Sequence, residues 1–338
     1  MIQTLRRGRP HRRNAGGLTM TDLPASRPDT AETLSALNAR FVQHERYDQL
    51  FDLAHRLVSL RLADLRSGRV TEGLSLALTA GSGSGKTTAM RHLVRAIQRE
   101  LSVSDYPQAK IISVSVPSPA TLKYVGLRIL HALGYELTAE RQAWYIWDKV
   151  RFHLRENRVL FLHLDEAQDL NTRNSKSELP HVANMLKTIS QDDAWPVGFF
   201  LSGTEGLKDI INFDTQLGRR IKGIRFEPLK LHSDADDVVE LVESYCSAAG
   251  ICLESGAEED ALGERIIHAG AYEFGLAIRL TLMAIEKALY AEVDCLSRDH
   301  FATAFEEWKG CGDAFNPFLI PDFTQVDPRK LFGEEGDL

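Results

Sequence analysis

Apolar positions between residues 31 and 66 recur three and four apart: Leu34, Leu37 and Phe41, then Leu50, Leu53, Leu57, Leu60, Leu62 and Leu65. That spacing predicts a helical segment. From residue 73 the pattern changes. Short apolar runs, LSLALTA (74–80), KIISVSV (110–116), VLFLHL (159–164) and VGFFLSG (197–203), alternate with helix-like stretches. A fifth run, IKGIRFEPL, covers 221–229. Short buried strands alternating with helices predict an α/β domain with a parallel five-stranded sheet. After Leu231 the strand pattern stops, and residues 234–249, 257–268, 273–291 and 298–309 carry helical spacing. A small all-α domain should therefore follow the sheet. The expected organisation is a tail (1–30), an N-terminal helical segment (31–70), the α/β core (71–231), an α-helical lid (232–312) and an extended C-terminal tail (313–338).

Composition adds few constraints. The 338 residues suit two domains, or one large domain with a smaller appendage, and the net charge of −7 offers no bulk argument for nucleic-acid binding, which must come from local patches. The first acidic residue is Asp22, after Arg6, Arg7, Arg9, Arg12 and Arg13. This start reads as disordered. It is either an arm for DNA phosphates or an artefact of start choice, since Met20 opens a plausible beginning of its own. Cys246, Cys252, Cys295 and Cys311 show no metal-ligand spacing and read as scattered free thiols in a reducing, cytoplasmic compartment. No apolar run approaches the ~18–20 residues of a membrane span.

Chemistry concentrates where the first strand ends. Residues 80–88 read AGSGSGKTT. A triphosphate needs a ring of backbone N–H donors at close approach. Glycine removes the Cβ that would collide and permits the positive φ that turns amides inward. A helix starting at Gly85 adds its partial positive charge. Gly81, Ser82, Gly83, Ser84, Gly85, Lys86, Thr87 and Thr88 therefore form a phosphate-binding loop. Lys86 sits against the β- and γ-phosphates, and the Thr87 hydroxyl ligates Mg²⁺. The third strand run ends at Asp165-Glu166. Asp165 would hold Mg²⁺ through water, and Glu166, one residue beyond, would polarise a water for attack on the γ-phosphate. Two adjacent acids favour hydrolysis over transfer to an acceptor. His163 reads as a strand residue that packs or hydrogen-bonds. Ser202 and Thr204, at the tip of the fourth strand run, are both eligible to orient the lytic water. Arg219 and Arg220 precede the last strand, where an arginine can reach a neighbouring subunit's γ-phosphate. Arg279, four residues after Gly275, can fold over the nucleotide and report its state.

Together these parts resemble the AAA+ ATPases over roughly residues 70–310. Within that superfamily the chain resembles the TniB/TnsC-type ATPases of transposons. That finer resemblance is carried by FVQHERYDQLFDLAHRLV, VSVPSPATLKYVGLRILHALG, LFLHLDEAQDL, HVANMLKTI, VGFFLSGTEGL, LGRRIKGIRFEPL and NPF at 316–318. Ala80 stands where many members have glycine. The resemblance implies an ATP- and Mg²⁺-dependent protein that forms rings or helical filaments on double-stranded DNA. It also implies that such a protein selects targets, recruits a transposase or target-selector protein, and disassembles on hydrolysis. Basic residues for DNA would come from Lys187, Lys208, Lys222 or the loop 171–178. The segment from Phe315 is either a docking peptide or a strap on its own domain. Two alternatives stay open. One is another AAA+ or STAND-like switch tied to replication origins or secretion. The other is a small-molecule P-loop kinase.

Overall fold

The computed structural model describes residues 28–118, 120–137, 140–171, 179–255 and 261–330. In chain order the elements are α1 (Pro28–Ala39), α2 (Glu45–Arg66), β1 (Ser75–Thr79), α3 (Lys86–Ser102), β2 (Lys110–Ser115), α4 (Leu122–Ala132), α5 (Ala143–Glu156) and β3 (Val159–Asp165). They continue with α6 (Leu179–Ser190), β4 (Gly198–Gly203), α7 (Leu207–Phe213), α8 (Thr215–Arg220), β5 (Ile221–Arg225), α9 (Ala235–Ala249), β6 (Cys252–Leu253), α10 (Leu262–Ala269), α11 (Phe274–Tyr290), β7 (Cys295–Leu296) and α12 (Arg298–Lys309).

The five expected strands form one parallel sheet in the order β2-β3-β4-β1-β5. Its central strands are buried along their whole length. Alternation sorts β1 between two apolar layers. Leu76 and Leu78 join α2 and α3 on one face, and Ala77 faces the layer built by α4, α5 and α6. Parallel order puts the carboxyl ends of β1, β3 and β4 at one edge of the sheet, which is where the site forms.

The N-terminal helical segment is broken rather than continuous. Residues 40–44 leave the helix, and His44 adopts extended backbone and caps α2, its ring Nδ1 accepting from the Tyr47 N–H. The two halves then part company. Leu37 of α1 joins the lid core, whereas α2 packs on the sheet.

The lid holds α9 to α12, as the spacing predicts, but it also contains β6 and β7. These pair in parallel with Cys252 opposite Cys295 and join them in a disulfide. The expectation of four free thiols is thus corrected for this pair. Two-residue strands carry no readable period, and a separation of 43 residues hid the pairing. Cys246 and Cys311 are free and buried.

The described part of the last segment, 313–330, is a strap on the lid. Phe318 and Asn316 are fully buried, and Phe315, Phe323 and Val326 nearly so. The Arg265 guanidinium donates to the carbonyls of Pro317, Ile320 and Pro321. His268 Nε2 donates to Val326 O at 2.8 Å. Of the two readings open for this segment, the strap accounts for its described residues. No helix among the described residues is long and apolar enough to cross a membrane.

Candidate functional site

β1 ends at Thr79, the loop 80–85 follows, and α3 begins at Lys86. Gly83 and Gly85 take φ of +84° and +91°, left-handed values that strain any side chain. A Cβ on Gly85 would meet nothing within 4 Å, so the loop opens outward there. Lys86 is buried and reaches back across the loop, Nζ donating to Gly81 O at 2.7 Å and Ala80 O at 3.2 Å. The Ser84 hydroxyl is buried without a hydrogen-bond partner, while Ser82 and Thr88 are exposed.

The second half of the site stands beside the loop. Thr87 Oγ1 donates to Asp165 Oδ2 at 2.8 Å, so the two expected Mg²⁺ ligands meet directly. Ser202, fully buried, donates to the other oxygen, Asp165 Oδ1, at 2.6 Å. Its hydroxyl proton is thereby committed, so His163 Nε2–H must be the donor in the 3.0 Å contact to Ser202 Oγ, and Ser113 Oγ donates to His163 Nδ1. Burial pushes the His163 imidazole well below its ordinary range, which keeps it neutral in this relay. The chain Ser113–His163–Ser202–Asp165–Thr87 fixes the carboxylate at the end of β3.

Glu166 follows with φ of +53°, a strained value for a side-chain-bearing residue. Its N–H donates to Asp165 Oδ1 at 3.1 Å, and its Oε2 accepts from Gln168 Nε2 at 2.7 Å. Gln168 Oε1 accepts from the Thr204 N–H at 3.0 Å. The structure thus separates the two hydroxyls that the sequence left equivalent. Ser202 is sealed in and holds Asp165. Thr204, half-buried beyond the strand end, is tied to Glu166 through Gln168.

The lid closes on the loop. A Cβ on Gly275 would lie 2.5 Å from Gly83 O and 2.9 Å from Gly85 N, and one on Gly83 would lie 2.6 Å from Leu276 Cγ. Glu273 sets its buried carboxylate against Gly81. Burial pushes that carboxyl up, against the charges of Lys86, Arg329 and Arg46. Between the loop, the segment 38–44 and the lid lies a cavity of about 160 Å³ lined by Phe41, Val42, His44, Thr88, Phe274 and Ile278, among others. Phe41 stacks on His92 with centroids 3.9 Å apart. Apolar, aromatic-edged and open to the loop, the cavity suits a nucleotide base.

Some expected residues are not gathered here. Arg279 is exposed, its guanidinium 5.2 Å over the Trp308 ring. One turn beyond Gly275, the helix has already risen ~6 Å along its axis. The part of α11 that touches the loop is Gly275 and Leu276. Arg219 and Arg220 lie at the opposite edge of the sheet, before β5. Arg220 is held by Glu72, NH2 to Oε1 at 2.8 Å and Nε to Oε2 at 2.5 Å. Arg219 is exposed and makes no ion pair or hydrogen bond among the described residues. Lys187 pairs with Asp214 and Lys208 with Glu205, whereas Lys222 is exposed. The basic loop suggested for DNA contact, beyond Asn171, lies outside the described residues.

Sequence reasoning named the loop, Asp165 and Glu166 but assigned nothing to Gln168, His163, Glu273 or the base cavity. Gln168 was visible inside DEAQ. Only the fold shows that it reaches Thr204.

The residues present fit Mg²⁺ and a triphosphate. The loop leaves backbone N–H groups and the Ser84 hydroxyl unspent. Thr87 and Asp165 would hold the ion, which supplies charge neutralisation on the phosphates.

Residues 69–211 match the family model AAA_22, described as an AAA domain. No curated protein matches the chain. Among solved structures it is similar to the Aeropyrum pernix ORC2 protein in ADPNP–ADP complexes, with 20% identity and a TM-score of 0.57 over 76% of this chain and 67% of that one. It is also similar to the A. pernix ORC1 protein in complex with DNA (16%, TM-score 0.60, 82% and 69%) and to Cdc6p from Pyrobaculum aerophilum (17%, TM-score 0.57, 81% and 70%). The sheet order, the loop and these likenesses agree: the chain has the AAA+ P-loop NTPase fold, and residues 69–211 of it match the AAA-domain model.

Proposed function

We propose that this protein is an ATPase that assembles with copies of itself on double-stranded DNA and changes its assembly when it hydrolyses ATP. The observation that carries the reading is the convergence of Lys86, Thr87, Asp165 and Glu166 at one edge of the sheet, with Thr87 and Asp165 in contact. In the proposed reaction Lys86 turns from the loop carbonyls to the β- and γ-phosphates. Thr87 and Asp165 would hold the metal. Glu166 orients and polarises the attacking water, with Thr204 beside it. Arg219 supports a site shared between subunits, because it is exposed and without an internal partner while its neighbour is held by Glu72. A site completed in trans makes nucleotide state and assembly one linked equilibrium.

DNA binding draws support from the likeness to the ORC1 protein in complex with DNA and to Drosophila ORC bound to DNA. Repetition along a duplex multiplies weak phosphate contacts, so a chain of net charge −7 can still bind. At finer grain we read the protein as a regulator of target choice in transposition, on the motif order that resembles TniB/TnsC-type ATPases. The ORC and Cdc6 likenesses favour a second reading, a replication-initiator-like switch.

Duplex DNA binding followed by gel shift, with a non-hydrolysable ATP analogue, ADP or no nucleotide, tests the proposal. Binding that needs the triphosphate form and weakens steeply with salt supports it. Binding indifferent to nucleotide contradicts it. Adding an integrase-type transposase then separates the finer readings. Stimulated strand transfer supports transposition. Binding confined to origin sequences, without stimulation, supports initiation.

A further inference from the structure

Glu166 carries the backbone strain of the site. It takes a left-handed φ directly after a buried strand, and its carboxylate must stop at one place beside the phosphate loop. A long acid side chain on a turn does not hold such a place unaided. Its backbone is tied to Asp165 Oδ1 and to the Asp169 N–H, and among the described residues one side chain restrains the carboxylate itself. Gln168, in the short 3₁₀ turn Ala167–Asn171, donates Nε2–H to Glu166 Oε2 at 2.7 Å. The same amide is pinned from its other side, because Oε1 accepts the Thr204 N–H at 3.0 Å. This second bond also orients the amide, since a flipped amide would set NH₂ against an N–H.

The anchor point matters. Gly203 pairs with Thr79 on β1, and Gly203 O accepts from the Ala80 N–H at 3.2 Å, at the root of the phosphate loop. A Cβ on Gly203 would overlap Gln168 Oε1, so the strand tip is shaped to receive this amide. One side chain therefore references Glu166 to the strand that carries the phosphate loop. Glu166 Oε1 makes no hydrogen bond among the described residues, which leaves it for water.

We propose that Gln168 is the positioning residue of Glu166: anchored on the Thr204 N–H, its amide holds one carboxylate oxygen so that the other meets the attacking water. The inference rests on the ATPase reading above. Gln168 touches no phosphate or metal ligand in this arrangement, so it acts on the turnover step and not on nucleotide affinity.

The test measures phosphate release and ADP titration for Q168A, Q168E, E166Q and the double variant E166Q/Q168A. Q168A should lower kcat about ten- to a hundredfold, the scale of one hydrogen bond to a charged group. KM for ATP and ADP affinity should stay within about twofold. Q168E keeps the size and the acceptor for the Thr204 N–H but turns a like charge on Glu166, so it should lose turnover while keeping its affinity and melting temperature. The double variant should be no slower than E166Q alone. Q168A turning over within twofold of wild type, with E166Q inactive, overturns the proposal and leaves the ATPase reading standing. Parallel loss of affinity, melting temperature and turnover in both Gln168 variants also overturns it, because Gln168 is then a structural strut. Wild-type turnover by E166Q would overturn the reading of Glu166 and the proposal with it.

Discussion

Replacing Gly275 by alanine separates helix stability from lid seating. Gly275 is the second residue of α11, and in an isolated helix glycine to alanine is favourable by about 1 kcal/mol. Here the new Cβ would lie 2.5 Å from Gly83 O, 2.9 Å from Gly85 N and 3.3 Å from Gly85 Cα. All three are backbone atoms and cannot swing aside, so α11 must withdraw by most of an ångström. Phe274 and Ile278, which line the base cavity, withdraw with it. A gap of 0.5–1 Å forfeits roughly a quarter to a half of each dispersion contact. Across two large side chains that is about 1–2 kcal/mol, or roughly five- to thirtyfold in nucleotide affinity. Calorimetric titration with ADP measures the affinity, and a thermal melt without nucleotide measures the fold. The expected result is a G275A protein that stays folded, the helix gain offsetting the lost lid packing to within about 1 kcal/mol, yet binds ADP five- to thirtyfold more weakly. Wild-type affinity would refute the reasoning, since α11 would then not seat on the loop when nucleotide is bound.

The two arginines should part in function. R219A should fold normally and lose ATP hydrolysis only through the assembly, and mixing it with K86A subunits should restore part of the rate. R220A, which leaves Glu72 its hydrogen bond from Gln191, should cost about 1 kcal/mol of stability for a half-exposed pair and leave mixed-subunit hydrolysis intact. Melting at equal protein concentration and phosphate release from mixtures check both. S202A removes the donor to Asp165 Oδ1 and leaves the His163 N–H buried without an acceptor. It should cost about 1–3 kcal/mol and weaken Mg²⁺-dependent ATP binding more than Mg²⁺-independent binding, as titrations with and without EDTA would report. Burial pushes His44 down to about 4, and the ring must stay neutral for Nδ1 to accept the Tyr47 N–H. A folded-state pKa below the unfolded value means that this stability is complete above pH ~6.5 and is lost as pH falls toward about 4. The ceiling is roughly 3 kcal/mol, reduced by solvent screening. H44N keeps a capping acceptor without the titration, so its melting temperature should fall less than that of wild type between pH 6.5 and 4.5. Parallel curves would contradict this.

What the sequence made legible is what short-range pattern encodes. The strand runs are unbroken because β1, β3 and β4 are buried on both faces, and they end in the residues proposed to do the chemistry, Ala80 to Thr87 and Asp165-Glu166. Helices α9, α11 and α12 fall within a residue or two of the apolar spacing. What stayed hidden depends on distance along the chain. The break at residues 40–44 is set by tertiary packing, with α1 claimed by the lid and α2 by the sheet. Residues 37 positions apart place Asp165 and Ser202 in contact, and no local pattern marks Ser202 over Thr204. Adjacent arginines on one helix end look alike until Glu72 is seen to hold Arg220. Arg279 shares a helical face with Gly275, yet the axis carries it to Trp308 and away from the loop. Glycines 81, 83 and 275 were readable as phosphate-loop and helix-start residues. Their second purpose, letting the lid rest on the loop, needed coordinates.

The account turns on Mg²⁺-dependent hydrolysis at the loop and the acid pair. Phosphate release from ATP by the purified protein, with duplex DNA present, should proceed in the wild type, vanish together with ATP binding in K86A, and vanish with ATP binding retained in E166Q. Release that persists in both variants, or a wild-type protein that binds no ATP, would contradict it.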